Sequence, residues 1–534
     1  MNRQRTQELP PCRRIDPSEE GETMLLYEIV ERSAQRFPEK PALIFRDQEI
    51  PYASLWGLVQ ACARGLRDEL GIQAGDRVGL MLPNLPQFVI AYHALGHLGA
   101  IAVPVNPLLK APEIAYIWRD AGIKAAITFP LTLETVLQAK PEIPRLQTVL
   151  LVGAQGELPD GVRPFDAILR PSGDPLPRPP VSEHEPVVFI YTSGTTGFPK
   201  GVMLSSDNIL FDIEACQQML ELEPDERFLA VLPLFHSFGQ TVCMNFPLWL
   251  GATTVLLERF MPQSTMEAIE KHRVTLFPAV PAMYAAILQA AGEREYDLSS
   301  LKYCVSGGAP MPEPMQRAFE AKYGCAILEG DGPTECSPVT SVNPPPHKGK
   351  RKVGSVGIPL PGVEIKIFDE NDCELPPGEI GEIVVRGRNV MLGYYNNPEA
   401  TAEAMRNGWF HTGDMGKFDE EGYLYIVDRK KDMIIVGGIN VYPSEVENVL
   451  LQHPAVLDCA VIGKPDPERG EVPVAVIVPK PGAEPDPREI LRFLRERLAN
   501  FKVPREVIFR QELPRSGTGK VLKRLLKKEL EMES

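Results

Sequence analysis

From residue 25 to about residue 330 the chain alternates short, continuously apolar runs with amphipathic stretches. That rhythm leaves few folds open. The runs at 42–45, 77–82, 100–105, 125–129, 148–152, 187–192, 228–232, 275–277, 302–306 and 326–329 are β-branched or apolar throughout. Strands covered on both faces read this way. Between them, 86–98, 207–220, 266–272 and 312–323 carry apolar residues at helical spacing. The alternation predicts βα units and parallel sheets, hence an α/β fold. A Pro-rich segment, 171–180, reads as a loop between two such blocks. Beyond residue 354 the pattern turns mostly β, with strands expected at 363–368, 379–386 and 423–427 joined by turns such as Pro377-Gly378. After about 431 a last block mixes a helix (444–452), strands (458–462 and 474–478), a second helix (487–498) and a basic tail.

Length and charge limit the function. At one domain per roughly 150 residues, 534 residues make three or four units. Acidic residues number 71 against 56 basic, a net charge of −15. A nucleic-acid binder needs a basic footprint, so that partner class is excluded. A hydrophobic fraction of 44% with 24% charged residues is that of a globular chain rather than a disordered one. The nine cysteines are scattered and form no CxxC, which predicts reduced thiols rather than disulfides or a zinc site. Residues 1–20 lack an apolar h-region, so no signal peptide is expected. The apolar stretches 78–109 and 241–257 are interrupted by Asn, Gln, His or Pro, so no membrane segment is expected. The reading is a large cytoplasmic protein.

The strongest local signal is Tyr191-Thr192-Ser193-Gly194-Thr195-Thr196-Gly197-Phe198-Pro199-Lys200-Gly201, which follows an apolar strand and precedes a helix pattern near Ser205. Glycines let backbone N–H groups converge on an anion, Ser/Thr hydroxyls add donors, and Lys200 adds a compact positive charge. A flexible linker has similar composition, but seldom follows a buried strand with a spaced Lys. The GxxxxGK[ST] loop is absent, because Pro199 stands where its second Gly is needed. G-x-S-x-G and H-E-x-x-H are absent as well, which removes common hydrolases and zinc proteases.

Together with Gly330-Asp331-Gly332-Pro333-Thr334-Glu335, Trp409-Phe410-His411-Thr412-Gly413-Asp414, Val427-Asp428-Arg429-Lys430-Lys431-Asp432 and Pro514-Arg515-Ser516-Gly517-Thr518-Gly519-Lys520, this loop resembles the adenylate-forming superfamily. That family comprises acyl-CoA synthetases, beetle luciferases and peptide-synthetase adenylation domains. The resemblance implies an N-terminal AMP-binding region, 1–430, built of α/β subdomains at about 20–180 and 181–345 and a β-barrel-like subdomain at 346–430. A mobile α+β domain would follow at 431–534. It implies a two-step reaction: a carboxylate attacks the α-phosphate of ATP, giving acyl-AMP and pyrophosphate, and the thiol of CoA then displaces AMP. Two anions meet in the first step, so catalysis rests on positioning and charge neutralisation.

By the same resemblance, Thr192, Ser193, Gly194, Thr195, Thr196 and Lys200 would hold the phosphates. Thr196 and Glu335 would hold Mg²⁺, a hard cation that prefers oxygen. Gly308, Ala309, Gly330, Asp331, Gly332, Thr334 and Tyr425 would line the nucleotide site, and Asp414 would accept both ribose hydroxyls, with Arg429 beside it. Lys520 would neutralise charge developing between carboxylate and α-phosphate. Lys431 would be the pivot of the C-terminal domain, and Gly437 and Gly438 would let pantetheine pass close to backbone.

Residues 407–431 are similar to the fatty-acyl-CoA synthetase signature, and His236, Gln240, Val280, Gly307 and Gly308 would border the acyl pocket. Amino-acid-activating relatives place Asp where His236 stands, so an α-amino acid is not expected. Gln240 occupies the place of a Trp gate found in some long-chain members. The sharpest departure is Asp331, where the family has an aromatic residue stacked on adenine. The expected substrates are ATP, CoA and a medium- to long-chain fatty acid. The alternatives are an aryl- or other carboxylate-CoA ligase, or a non-catalytic acyl-nucleotide-binding relative. The reading is compatible with a homodimer.

Overall fold

The computed structural model describes residues 24–173, 175–193, 198–290, 294–467, 469–515 and 521–533. Each apolar run expected as a strand between residues 42 and 329 forms one. They build two large sheets. The first has eight strands in the order Gly393–Tyr394, Pro199–Ser205, Pro186–Ser193, Ile101–Pro104, Arg77–Met81, Ala125–Thr128, Thr148–Leu151 and Val162–Pro164. The second has nine, in the order Ile358–Pro359, Ser341–Val342, Ala326–Asp331, Tyr303–Ser306, Leu276–Ala279, Arg227–Ala230, Thr253–Leu256, Pro41–Phe45 and Gln48–Pro51. Sheet membership does not follow chain order: Pro41–Phe45 pairs in parallel with Thr253–Leu256.

The sheets are parallel in their centres, as the alternation predicts, and mixed at their edges. Pro186–Ser193 and Pro199–Ser205 run antiparallel, so the Gly-rich loop is the tip of a hairpin and does not lead directly into a helix. Val202 and Leu204 are buried on the second strand, and their burial draws that strand onto the sheet. Only then does the helix Ser206–Leu220 begin. Ser205 Oγ accepts the Asn208 N–H and Asn208 Oδ1 accepts the Ser205 N–H, a reciprocal cap.

The following β region is antiparallel: Glu364–Phe368, Gly381–Arg386, Trp409–Phe418 and Met405–Arg406 in order, with Leu424–Arg429 beside Trp409–Phe418. One apolar core extends from Leu26 to Leu424 and joins these three sheets. The C-terminal block has its own sheet, Ile439–Val441, Ile434–Val436, Gly470–Pro479 and Val456–Asp466, with Glu506–Phe509 parallel to Gly470–Pro479. Pro443–Leu450 and Pro487–Arg495 pack into one of its cores, and the Lys523–Glu533 helix contributes Leu526 to another. Among the described residues every cysteine is unpaired with another cysteine in a disulfide, and no helix is long and apolar enough to cross a membrane.

Candidate active site

Open α/β sheets bind ligands beyond the carboxyl ends of their strands. Three of the motifs lie there: the Gly-rich hairpin follows Pro186–Ser193, Gly307 follows Tyr303–Ser306, and Gly332 follows Ala326–Asp331.

Thr192 and Lys200 face each other across the hairpin. Its base is anchored from outside. Tyr191 Oη donates to Asp120 Oδ2 at 2.6 Å, and Phe198 stacks on Tyr116 with centroids 5.1 Å apart. Both partners belong to the helix Ala111–Ala121. Gly194, Thr195, Thr196 and Lys520 lie outside the described residues, and Ser193 is described only as strand backbone. Lys200 Nζ lies 5.0 Å from the Tyr394 ring centroid, a cation–π distance. Tyr394 is brought there by antiparallel pairing of Gly393–Tyr394 with Met203 and Val202. Its hydroxyl donates to Glu335 Oε1 at 2.9 Å. One tyrosine therefore spans the lysine of the first motif and the carboxylate of the second.

The turn carrying Glu335 is tight. A Cβ on Gly332 would lie 1.8 Å from the Pro338 carbonyl oxygen, so only glycine fits. Thr334 is buried, its hydroxyl 3.1 Å from that of Ser237. A Cβ on Gly307 would come within 3.3 Å of the Phe238 ring and 3.4 Å of the Gly330 carbonyl oxygen, and one on Gly308 within 3.7 Å of Val280. Val280, Gly307, Gly308, Gly330 and the His236 segment thus converge, with Ala309 half-buried beside them. His236 Nδ1 accepts the Phe238 N–H at 3.3 Å, and its carbonyl accepts the Gln240 N–H at 2.9 Å. The Asp331 carbonyl accepts the Thr340 N–H and hydroxyl at 2.8 and 3.0 Å, leaving the half-buried Asp331 side chain at the strand's end.

Asp414 and Arg429 are cross-strand partners, with Arg429 Nε 3.2 Å from Asp414 Oδ1. Tyr425, on the strand of Arg429, donates to Asp419 Oδ2 at 3.4 Å. Burial raises the Glu335 carboxyl above its ordinary range. The Tyr394 hydroxyl and Arg429 pull it back, and Asp414 pushes it up. A half-buried carboxylate short of positive charge suits a hard cation, and Mg²⁺ needs only one or two protein carboxylates when phosphates supply other ligands. Glu329, on the same strand as Asp331, is pushed up to about 7 by burial, with Asp331 adding to the shift, while the Met311 N–H donates to it at 2.9 Å.

Lys431 is exposed in the turn after Leu424–Arg429, where Lys430 N–H bonds the Gly413 carbonyl and Asp432 and Met433 N–H bond that of Arg429. Gly437 and Gly438 have φ of 59° and 82° and join Ile434–Val436 to Ile439–Val441. Two consecutive positive φ values define the favoured hairpin turn, which accounts for both glycines structurally. Across the junction, Ser444 N–H donates to Asp428 Oδ2 at 2.7 Å and its hydroxyl bonds the Val427 carbonyl.

Sequence reasoning missed Tyr394, Tyr191, Phe198 and Phe238. Tyr191 and Phe198 stand inside the Gly-rich stretch, whose composition assigns them no task, and Phe238 lies two residues beyond His236. Tyr394, in Gly393-Tyr394-Tyr395-Asn396, carries no local sign of a partner so far away in the chain.

The family profiles described as AMP-binding enzyme and AMP-binding enzyme C-terminal domain match residues 30–395 and 445–520. A long-chain-fatty-acid–CoA ligase of Bacillus subtilis is 40% identical over 94% of each chain. A feruloyl-CoA synthase of an Amycolatopsis species is also 40% identical, over 92% of this chain and 96% of its own. The crystal structure of the anthranilate CoA ligase AuaEII in complex with anthranoyl-AMP superposes with a TM-score of 0.89 at 31% identity, covering 96% of this chain and 98% of that one. The chain belongs to the AMP-binding enzyme family. It is an adenylate-forming acyl-CoA ligase, an acid–thiol ligase that releases AMP.

Proposed function

We propose that the chain is an ATP-dependent fatty acid–CoA ligase acting on a medium- to long-chain acid. The carboxylate oxygen attacks the α-phosphate of ATP and pyrophosphate leaves. The CoA sulfur then attacks the acyl carbonyl, AMP leaves, and the thiol proton passes to solvent. The observation that carries the ligase chemistry is the Lys200–Tyr394–Glu335 chain, within electrostatic reach of Arg429 and Asp414. Lys200 and the Gly-rich loop would meet the β- and γ-phosphates, and Asp414 with Arg429 the ribose. Glu335 with Thr196 would hold Mg²⁺, which supplies positive charge to phosphate oxygens when bound. Lys520 would reach the reacting oxygens in the first step, and the C-terminal domain, turning about Lys431, would bring Gly437 and Gly438 to CoA in the second.

Phe238, Val280 and the bare backbone of Gly307 and Gly308 support an apolar acyl wall. The absence of an acid at His236 supports a substrate without an α-amine. An aryl acid is the second reading, favoured by the flat Phe238 ring against Gly307 and by the feruloyl-CoA synthase at equal identity. Pyrophosphate release with CoA and a panel of octanoate, palmitate, ferulate and benzoate tests both. Turnover of the fatty acids supports the first reading, and ferulate or benzoate alone would replace it with the second.

A further inference from the structure

Ser237 and Thr241 lie on the side of their segment that meets the Thr334 turn, and both are satisfied. Ser237 pairs with Thr334, and Thr241 Oγ1 donates to the Ser337 carbonyl at 2.8 Å. Gln240 and Asn245 are different. They are 2% and 0% exposed, and among the described residues neither the oxygen nor the nitrogen of either amide has a hydrogen-bond partner of ordinary geometry. The Tyr92 hydroxyl, 1% exposed, stands beside the Asn245 amide, a polar contact too loose to satisfy either group, so among the described residues Gln240 is the amide wholly without a protein partner. Burying an amide with nothing to bond is costly, and an unmet group of this kind in a site selects a ligand that completes it.

The placement identifies that ligand. The Gln240 N–H bonds the His236 carbonyl, so Gln240 lies one turn beyond the pocket edge on the same face. Gly239–Asn245 is a π-helix, a form often found at functional sites, and its wide turn carries Asn245 onto the face of Gln240. At a rise of at most about 1.5 Å per residue, His236 to Asn245 spans roughly 10–13 Å. Phe238, between them in sequence, packs against Gly307. Helical spacing thus sets Gln240 and Asn245 in line beyond the apolar wall.

Resting on the acyl-CoA ligase reading of this pocket, we infer that the preferred acid carries a hydroxyl or phenol oxygen remote from its carboxylate, received by Gln240 and Asn245. An amide offers both donor and acceptor, so it can satisfy a hydroxyl in both senses. A saturated methyl-ended chain leaves both amides unpaired.

The test compares kcat/KM of the full-length enzyme for two matched pairs, octanoate against ω-hydroxyoctanoate and cinnamate against para-hydroxycinnamate, by CoA-dependent AMP release. The hydroxylated member of at least one pair is expected to be preferred about tenfold or more, as for sites built to bond a substrate hydroxyl. The responding pair tells chain from ring. Gln240→Leu is expected to remove or invert that ratio, and Asn245→Leu serves as the second variant if Gln240→Leu does not fold. Wild-type ratios at or below one in both pairs would overturn the inference, with water left as the amides' partner. No AMP release with any of the four acids would instead overturn the reading of the pocket as one for medium-chain or aryl acids.

Discussion

The Tyr394 hydroxyl donates a 2.9 Å hydrogen bond to Glu335 while its ring stands 5.0 Å from the Lys200 ammonium. Tyr394→Phe keeps the ring and removes the donor. Hydrogen bonds to charged groups contribute about 1.5–3 kcal/mol, so adenylation is expected to fall about ten- to hundredfold. Tyr394→Ala also releases Lys200 and is expected to fall further. Pyrophosphate release against ATP concentration measures both, and wild-type kinetics in Tyr394→Phe would show that Glu335 needs no such support.

Lys520→Ala is expected to slow adenylation about 10²–10³-fold, as loss of one preorganised electrostatic stabiliser does. CoA transfer from supplied acyl-AMP is expected to continue, because that step no longer involves the α-phosphate attack. Near-normal acyl-AMP formation by the variant would remove Lys520 from the reaction in favour of its basic neighbours Lys523 and Arg524.

Lys431→Pro tests the pivot. The turn's hydrogen bonds come from the N–H groups of Lys430, Asp432 and Met433, so proline at 431 removes none of these. It does fix φ and restrict residue 430, which opposes a rotation about the junction. Thioester formation from acyl-AMP is expected to fail while pyrophosphate release persists. Equal loss of both steps would mean that Lys431 is structural.

These tests rest on residues of unequal legibility. The strands at 77–82 and 125–129 could be read directly because a doubly covered strand must be apolar along its whole length. The sheet each strand joins could not. Pro41–Phe45 binds Thr253–Leu256 through backbone pairing that no local pattern encodes. The strand Pro199–Ser205 was hidden by Pro199, Lys200 and Gly201, poor strand formers held by pairing with the preceding strand. Trp409–Phe418 was hidden likewise, because Gly413 and Gly416 break its alternation. Motifs located Lys200, Glu335, Asp414 and Arg429, since a charge among glycines at a strand end has few structural uses. Tyr394 was invisible because its partners are set by tertiary contact alone.

Asp331 bears on nucleotide affinity. It ends the strand Ala326–Asp331 opposite Ser341, at the position where the resemblance to the superfamily leads to an aromatic ring being expected. A carboxylate cannot stack on a purine and repels triphosphate. Asp331→Tyr is expected to lower the KM for ATP about three- to tenfold, in line with about 0.5–1.5 kcal/mol for an aromatic pair. An unchanged KM would place this side chain away from adenine.

Glu329 makes stability depend on pH in a direction that can be worked out. Burial pushes its carboxyl from 4.5 to about 7. Below about pH 4.5 the group is protonated folded and unfolded, and contributes no penalty. As pH rises towards 7 the unfolded chain sheds this proton while the folded one keeps it, so stability falls. Above pH 7 the loss is complete, on the order of 3 kcal/mol. Glu329→Gln retains an oxygen for the Met311 N–H and cannot ionise. Its Tm is therefore expected to exceed the wild-type value at pH 8, with the difference shrinking to nothing near pH 4.5. Subtracting wild type from variant at each pH cancels the contributions of groups not coupled to Glu329, which leaves only Glu329 and its neighbour Asp331, and a difference that stays constant across the range would show that the Glu329 carboxyl is not buried uncharged.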